Sequence, residues 1–389
     1  MRPEQTSPDL DPCPLCGAKS GVEVQGQDLA LAGLGRARIG FGCCGACGHI
    51  HQVRRASDAL LARHYAAYSN YTCFDPEAAR AAPAGNLTRR LLTLAQARAP
   101  KGVAYEVGCA TGYHLHHFKR AGWDVGGCDP SAKAVAQAKE IYGIDIDCGM
   151  DAQAMPARRD LAVVMYSHVL EHMTDPIASL RLAHAALKDD GVVLLEVPCA
   201  TAPQLVAPGW FTLEHLHYFS QHSLTNLLAA AGFAPVEFRI AFKAELYPVI
   251  AAVAVKSGAP AAPKPDALAV AQARAFLTAL VAHDDALWGK TAQRLACVKG
   301  PVYVWGAGVH TAQLFDRTPI YGQVKGIIDR DAQKWGSVMA DHAIISPDDF
   351  FARGEDMPVV ISSFAAEAQI AGSLAQAGIA ARNIVRLYT

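Results

Sequence analysis

Beyond about residue 100 the chain alternates short apolar runs with amphipathic stretches. Val103 to Val107 is a compact apolar run, as expected of a strand covered on both faces. A helix is predicted from about Tyr113 to Ala121, and the next strand, WDVGGCD, ends at Asp129. LAVVMYS is a further strand. In IASLRLAHAALKDDG the apolar positions 177, 180 and 187 share one helical face, and the helix is expected to stop before Gly191. VVLLEVP, a helix at SLTNLLAAAG, and strands FAPVEFRI and LYPVIAAVAVK continue the alternation. Strand and helix in turn predict an α/β unit with a largely parallel sheet. Residues 257–266, SGAPAAPKPD, then break the pattern with proline, alanine and glycine, a linker signal. A long Ala/Leu helix over about 267–296 follows, and strands at Val302, VKGIID and MPVVISS start a second α/β unit. The first hundred residues differ. They hold β-like segments, GVEVQ and ARIGFG, then a tyrosine-rich helical stretch, LLARHYAAYSNYTCFDP, and a helix around 86–98.

A chain of 389 residues, 51% hydrophobic and 18% charged, has room for two or three domains with large cores. The net charge of −1 offers no electrostatic footprint for nucleic acid. The basic pairs (Arg54-Arg55, Arg89-Arg90, Arg158-Arg159) are scattered and read as solvated charge. The N-terminal stretch lacks the apolar segment of a signal peptide, and no run of 18 apolar residues is present to span a membrane. Six of the eleven cysteines are isolated in apolar surroundings. Together these features predict a reducing, cytoplasmic setting.

The other five cysteines crowd into the first 47 residues, as Cys13-Pro-Leu-Cys16-Gly and Cys43-Cys44-Gly-Ala-Cys47-Gly. Two thiolates three residues apart can address one ion, and the following glycine lets the backbone turn beneath them. Cys13, Cys16, Cys44 and Cys47 supply the four sulfurs of tetrahedral Zn2+. Cys43 would break the spacing, and His49 and His51 are weaker substitutes. Four protein ligands leave no open position, so this zinc is expected to be structural. The alternative, a pair of disulfides, does not suit a chain without an export signal. GVEVQ and ARIGFG are expected to form a hairpin between the knuckles.

The first strand runs into Glu106-Val107-Gly108-Cys109-Ala110-Thr111-Gly112, and Asp129 lies 21 residues beyond Gly108. Glycines at a helix start admit a ligand to the backbone, and an acid ending the next strand can receive ribose hydroxyls. The spacing G-x-x-x-G is not the G-x-G-x-x-G that cradles a pyrophosphate, which points to a ligand with ribose but no phosphate. EVGCATG resembles motif I of class I S-adenosylmethionine (SAM) methyltransferases, and CDPSAKAVAQA resembles their motif II. The resemblance covers roughly residues 100–256. It implies SAM contacts from Glu106, Gly108, Cys109, Gly112, Asp129 and Pro130, from Asp151 and Ala152 on the adenine side, and from His168.

His168-x-x-Glu171-His172 also matches the H-x-x-E-H pattern of some zinc peptidases. That chemistry needs both histidines on one long helix. Here a strand ends at Ser167, and Thr174-Asp175-Pro176 breaks the chain soon after. These residues are read as a helix start and packing beside the SAM pocket, and His114, His116 and His117 as surface or packing histidines.

A zinc ribbon (1–56), a SAM-binding domain (57–256) and a second Rossmann-like domain (257–389) occur in the same order in three-domain sugar C-methyltransferases, which this chain resembles along nearly its whole length. That family acts on nucleotide-linked keto sugars. The resemblance implies a base in the segment E-H-L-H-Y-F-S. His215 would take the proton, Glu214 would orient it, and Tyr218 would face a developing oxyanion. It also implies substrate contacts from Tyr68 and Tyr71, and a small-molecule partner with no nucleic acid or membrane. The family carries tyrosine two residues before the Glu, where this chain has Thr212, so C- and O-methylation both stay open. Two other readings compete: an RNA methyltransferase with a zinc module, and a non-catalytic SAM- or nucleotide-binding protein. The GAGVHT turn at Gly306 has two of three dinucleotide glycines and reads as part of a substrate-facing domain before an NAD site.

Overall fold

The structure is a computed structural model and describes residues 10–68, 76–202, 206, 209–243, 247–364 and 366–388. Strand β1 (Val22–Leu31) turns back on β2 (Gly35–Cys43), and β3 (Ile50–Arg54) adds to the free side of β2, all antiparallel. This is the hairpin expected between the cysteine knuckles. Its inward positions, among them Leu29, Ile39 and Phe41, are fully buried. Helices α1 (Asp58–Tyr68), α2 (Pro76–Ala81) and α3 (Asn86–Arg98) lead into the central sheet.

That sheet is built from β4 (Val103–Val107), α4 (Tyr113–Arg120), β5 (Asp124–Asp129), α5 (Ala132–Tyr142), β6 (Asp147–Cys148), the short α6 (Asp151–Ala154), β7 (Leu161–Ser167), α7 (Pro176–Ala186) and β8 (Leu187–Pro198). After a long irregular segment come β9 (His217–Tyr218), α8 (Gln221–Ala230), β10 (Phe233–Lys243) and β11 (Tyr247–Lys256). The strand order is β10-β11-β8-β7-β4-β5-β6, with β11 antiparallel to both neighbours and every other pairing parallel. β7 is apolar from Leu161 to Tyr166 because helices cover both faces. Leu180 and Ala183 of α7 pack in one core layer, Leu91, Leu94 and Phe118 in the other.

One boundary differs from the sequence reading. The periodic run ending at Leu187 suggested a helix to about Gly191, yet α7 ends at Ala186 and β8 starts at once. Leu187 pairs with Leu161 of β7. Tertiary pairing takes that last apolar position away from the helix.

Helix α9 (Ala267–Leu295) is capped by the Asp266 carboxylate, which accepts from the Ala269 amide at 2.9 Å. The C-terminal sheet follows: β12 (Val302–Trp305), α10 (Val309–Arg317), β13 (Val324–Ile328), β14 (Val338–Met339), β15 (His342–Ile345), α11 (Pro347–Ala352), β16 (Val359–Ile361), α12 (Glu367–Gln376) and β17 (Ile384–Arg386). Its order is β14-β15-β13-β12-β16-β17, parallel except at β14. Among the described residues no helix is long and apolar enough to cross a membrane.

The three sheets are not beads on a string. β9, from the middle of the chain, pairs antiparallel with β3, setting Ile50 opposite Tyr218 and His51 opposite His217. One apolar core joins Phe41 of the hairpin, Phe211 of the irregular segment, Tyr218 of β9, Leu277 of α9 and Val304 of β12. Burying each such side chain contributes about 1.5–3 kcal/mol relative to exposure, so packing holds the C-terminal unit in place more firmly than a tether would. The Asp266 amide also donates to the Ala46 carbonyl in the second cysteine knuckle, at 2.9 Å.

Candidate functional site

The four expected cysteines converge. Cys13 Sγ lies 3.7 Å from Cys47 Sγ and Cys16 Sγ 3.5 Å from Cys44 Sγ, and all four sulfurs lie within 4.8 Å of one another. A disulfide would need about 2.0 Å. A tetrahedron with metal–sulfur bonds of about 2.3 Å has edges of about 3.8 Å, which these separations match. Gly17 and Gly48, one after each knuckle, take φ of +73° and +72°, as a tight turn beneath paired thiolates requires. Cys43, left out of the set by its spacing, sits in β2.

The loop after β4 is a second constructed feature. Gly108, Ala110 and Gly112 have φ of +67°, +47° and +77°. A Cβ on Gly108 would fall 2.6 Å from Val169 Cγ2. The Asp129 carboxylate holds the loop in place: Oδ2 accepts from the Ala110 amide at 2.8 Å and Oδ1 from the Ser131 amide at 2.9 Å. Burial raises its pKa, partly countered by those two amides. Glu106 is 2% exposed. One of its oxygens pairs with His114 Nδ1 at 2.8 Å, while Oε2 is buried with no hydrogen-bond partner. An orphaned carboxylate oxygen beside an open glycine turn suits a ligand that brings donors, as the amino group and ribose of SAM do. His114, read from sequence as a packing residue, thus holds the motif's acid. Asp151 is buried at the start of α6, whereas Ala152 and Pro130 are exposed. The Cys109 side chain turns into the core, leaving only its backbone toward the loop.

The third feature is a buried polar cluster at the carboxyl ends of β7 and β8, where an open α/β sheet binds its ligands. His168 follows β7 with φ +55°, and its amide donates to the Glu196 carbonyl of β8 at 2.8 Å. Its ring sits between two acids, Nδ1 3.4 Å from Glu171 Oε1 and Nε2 3.4 Å from Glu196 Oε1. Arg90 of α3 closes on Glu196 from the other side, with Nε at 2.8 Å. Leu170–His172 is a single 3-10 turn, too short for a peptidase helix, as the sequence argued. Yet these residues do more than pack. Glu171 is fully buried, and His172 stacks edge-on against His215 with ring centroids 4.9 Å apart.

Helix α1 covers this cluster. His64 Nε2 lies 2.7 Å from Glu214 Oε1, and the Tyr65 hydroxyl lies 3.1 Å from His172 Nδ1. Sequence reasoning chose Tyr68 and Tyr71 from the same stretch. Tyr68 is the last residue of α1, and Tyr71 lies outside the described residues. Helical period along LLARHYAAY is the signal that points to His64 and Tyr65 as well.

The E-H-L-H-Y-F-S segment is held from several sides. Gln52 Nε2 of β3 lies 3.0, 3.1 and 3.0 Å from the carbonyls of Thr212, Leu213 and His215. The Leu216 amide donates to the Glu171 carbonyl at 2.7 Å. Thr212, where the resembled family has tyrosine, accepts from the His215 amide at 3.2 Å and so caps the turn. Tyr218 is buried, and its hydroxyl accepts from the Thr212 amide at 3.3 Å, bracing the loop. His217 is a packing residue. Its Nε2 donates to the Met173 carbonyl at 2.7 Å and its Nδ1 lies 3.0 Å from His49 Nε2.

Electrostatics favour a neutral His215. Burial, then the neighbouring His172, push its pKa down to about 4, with only partial relief from Glu171 and Glu214. Burial works to raise the Glu171 pKa, but His168, His172 and His215 outweigh it and bring it to about 2. Glu214 is likewise lowered overall, burial being overcome by the His64 contact. The cluster therefore holds a neutral imidazole between two carboxylates, an arrangement that can take up a proton.

In the C-terminal sheet the corresponding turn is braced by its own side chains. Asp329 Oδ2 accepts from the Ala307 amide at 2.6 Å and lies 3.4 Å from Lys334 Nζ. Thr311 Oγ1 donates to Ser362 Oγ at 2.9 Å.

Residues 77–237 match the family model described as a methyltransferase domain. Over 143 residues the chain is 31% identical to a C-methyltransferase, NovU, of Streptomyces niveus, covering 35% of this chain and 34% of that protein. Over 94 residues it is 35% identical to a ubiquinone biosynthesis O-methyltransferase of Rhodopseudomonas palustris, covering 23% of this chain and 37% of that protein. The chain thus spans about a third of the length of these relatives. A magnesium protoporphyrin IX methyltransferase of Synechocystis PCC 6803, solved with bound SAH, aligns at 19% identity and a TM-score of 0.40, over 51% of this chain and 100% of that one.

Proposed function

Starting from the class I, SAM-dependent methyltransferase domain that the chain carries, we propose that the whole protein methylates a small-molecule acceptor, a nucleotide-linked keto sugar, with His215 as general base and zinc held structurally by Cys13, Cys16, Cys44 and Cys47. The observation that carries this reading is the half-buried His215, grouped with Glu171 and adjoining Glu214 at the end of the sheet where the cofactor loop also lies, where desolvation favours its neutral form.

Bound SAM supplies an electrophilic methyl carbon. The loop from Gly108 to Gly112 and the acids Glu106, Asp129 and Asp151 would hold it. The chain's remaining task is to create and align the nucleophile. His215 takes the proton from the carbon beside a ketone, and Glu214, fixed by His64, favours the imidazolium that results. Tyr65 donates toward the oxygen on which charge develops. Tyr218 serves this chemistry through the loop it braces. His168 positions Glu171 and Glu196 beside the pocket.

The acceptor class rests on the domain order, and carbon as the methylated atom on the C-methyltransferase relative. An O-methyl product would place the chain with its other relatives. The test is mass spectrometry of a nucleotide-sugar panel incubated with protein and SAM. A product heavier by one methylene is expected, and NMR locates the methyl group. His215→Ala should lower turnover by about 10²–10⁴-fold with SAM affinity unchanged. Full turnover in that variant removes His215 as the base. Tight, salt-sensitive RNA binding would instead favour an RNA substrate.

A further inference from the structure

We propose that Glu171, His172 and His215 form a second metal site, for a divalent transition ion of the zinc type, distinct from the four cysteines. Their donor atoms lie within 4.8 Å of one another. Two imidazoles and one carboxylate are a donor set that zinc accepts while keeping a further position open.

The geometry shows a gap built for a cation. Glu171 is fully buried; neither of its oxygens accepts a well-formed hydrogen bond, and Oε1 has His168 Nδ1 beside it at 3.4 Å. His172 Nδ1 lies 3.0 Å from the Glu214 carbonyl, which can only accept, so the ring proton sits on Nδ1. His172 Nε2 faces Glu171 Oε1 at 3.9 Å, beyond hydrogen-bond reach but close enough for one ion to bridge both. His215 completes the ring of donors, and its Nδ1 is sealed from solvent without a partner. The supporting layer is also present. A ligating histidine is commonly fixed through its other nitrogen by a carbonyl or hydroxyl, and His172 Nδ1 has both, from Glu214 and Tyr65. Metal–ligand bonds of about 2.0–2.2 Å require the three side chains to close by about 1 Å, a rotamer adjustment.

The consequence rests on the base assigned above. A metal ion and a proton compete for the same lone pair of His215, so occupancy of this site and proton abstraction exclude one another. Excess zinc then inhibits the enzyme, although zinc at the four cysteines supports it.

The test uses the full chain, with its cysteine site loaded with zinc and no SAM or acceptor present. Cobalt(II) is titrated in, with visible d–d absorption and bound metal both measured. One further equivalent is expected, without the near-ultraviolet band of a cobalt–thiolate bond. Glu171→Gln and the partly exposed His172→Asn should each weaken it at least tenfold, while His222→Ala, at an exposed histidine, leaves it unchanged. Circular dichroism confirms that each variant is folded. No cobalt beyond exchange at the cysteines, or equal loss in His222→Ala, overturns the site. Because binding is read without turnover, it decides the site whatever His215 does in catalysis. A separate zinc titration of turnover decides the base: cobalt binding with turnover indifferent to zinc would sink the role of His215 and leave the site standing.

Discussion

Three histidines, His215, His217 and His310, have pKa values pushed down to about 4, chiefly by burial. Between the ordinary value of about 6.5 and 4, the unfolded chain takes up protons that the folded chain refuses. Stability is therefore full above pH 6.5 and falls as the pH drops toward 4. The loss should amount to a few kcal/mol across that window, read as a falling midpoint in urea titrations. A midpoint flat from pH 7 to pH 4 would contradict the burial of these rings. A second residue-scale prediction concerns Gly108. Alanine there must adopt φ +67° and also meets Val169. Gly108→Ala should cost about 1–3 kcal/mol of stability or the equivalent loss of SAM affinity. Adding Val169→Ala should restore only part of it, because the backbone strain remains. Calorimetric titration with SAM separates the two contributions.

At the scale of elements, the strands and most helices were legible because their patterns are strong. β7 matches its apolar run from end to end, and α3 and α4 fall within a residue of the helices read at 86–98 and from Tyr113 to Ala121. The cysteine set was legible because its spacing carries the geometry. The acidic and histidine cluster was only half legible. Glu214 and His215 were read from one segment and His168 and Glu171 from another. Nothing local to either says that the Leu216 amide would bond the Glu171 carbonyl and join them, or that β9 would pair with β3 and hold that loop. Long-range pairing of a two-residue strand has no periodic signature. Gln52 shows the same limit: a mid-strand glutamine reads as ordinary, yet its amide serves three loop carbonyls. Gln52→Glu keeps the shape but sets a carboxylate against those carbonyls. It should cost about 1–3 kcal/mol locally. Turnover should collapse while SAM affinity, measured on the same preparation, stays within twofold. Equal loss of both would mean that the loop and the cofactor pocket are one unit.

For the whole molecule, the hairpin, the central sheet and the C-terminal sheet share a core, so a perturbation in one is felt in another. Stripping metal from the cysteines with a strong chelator should loosen β3, release the loop bearing His215, and abolish turnover. Cofactor binding by the β4–α4 turn should survive, since that turn is tied to β5. Restored turnover on adding back one equivalent of zinc completes the test. The pairing of β3 with β9 then means something for a cell. On the function proposed above, chains made during zinc scarcity would still bind their cofactor, one molecule each, without consuming it until the metal returned.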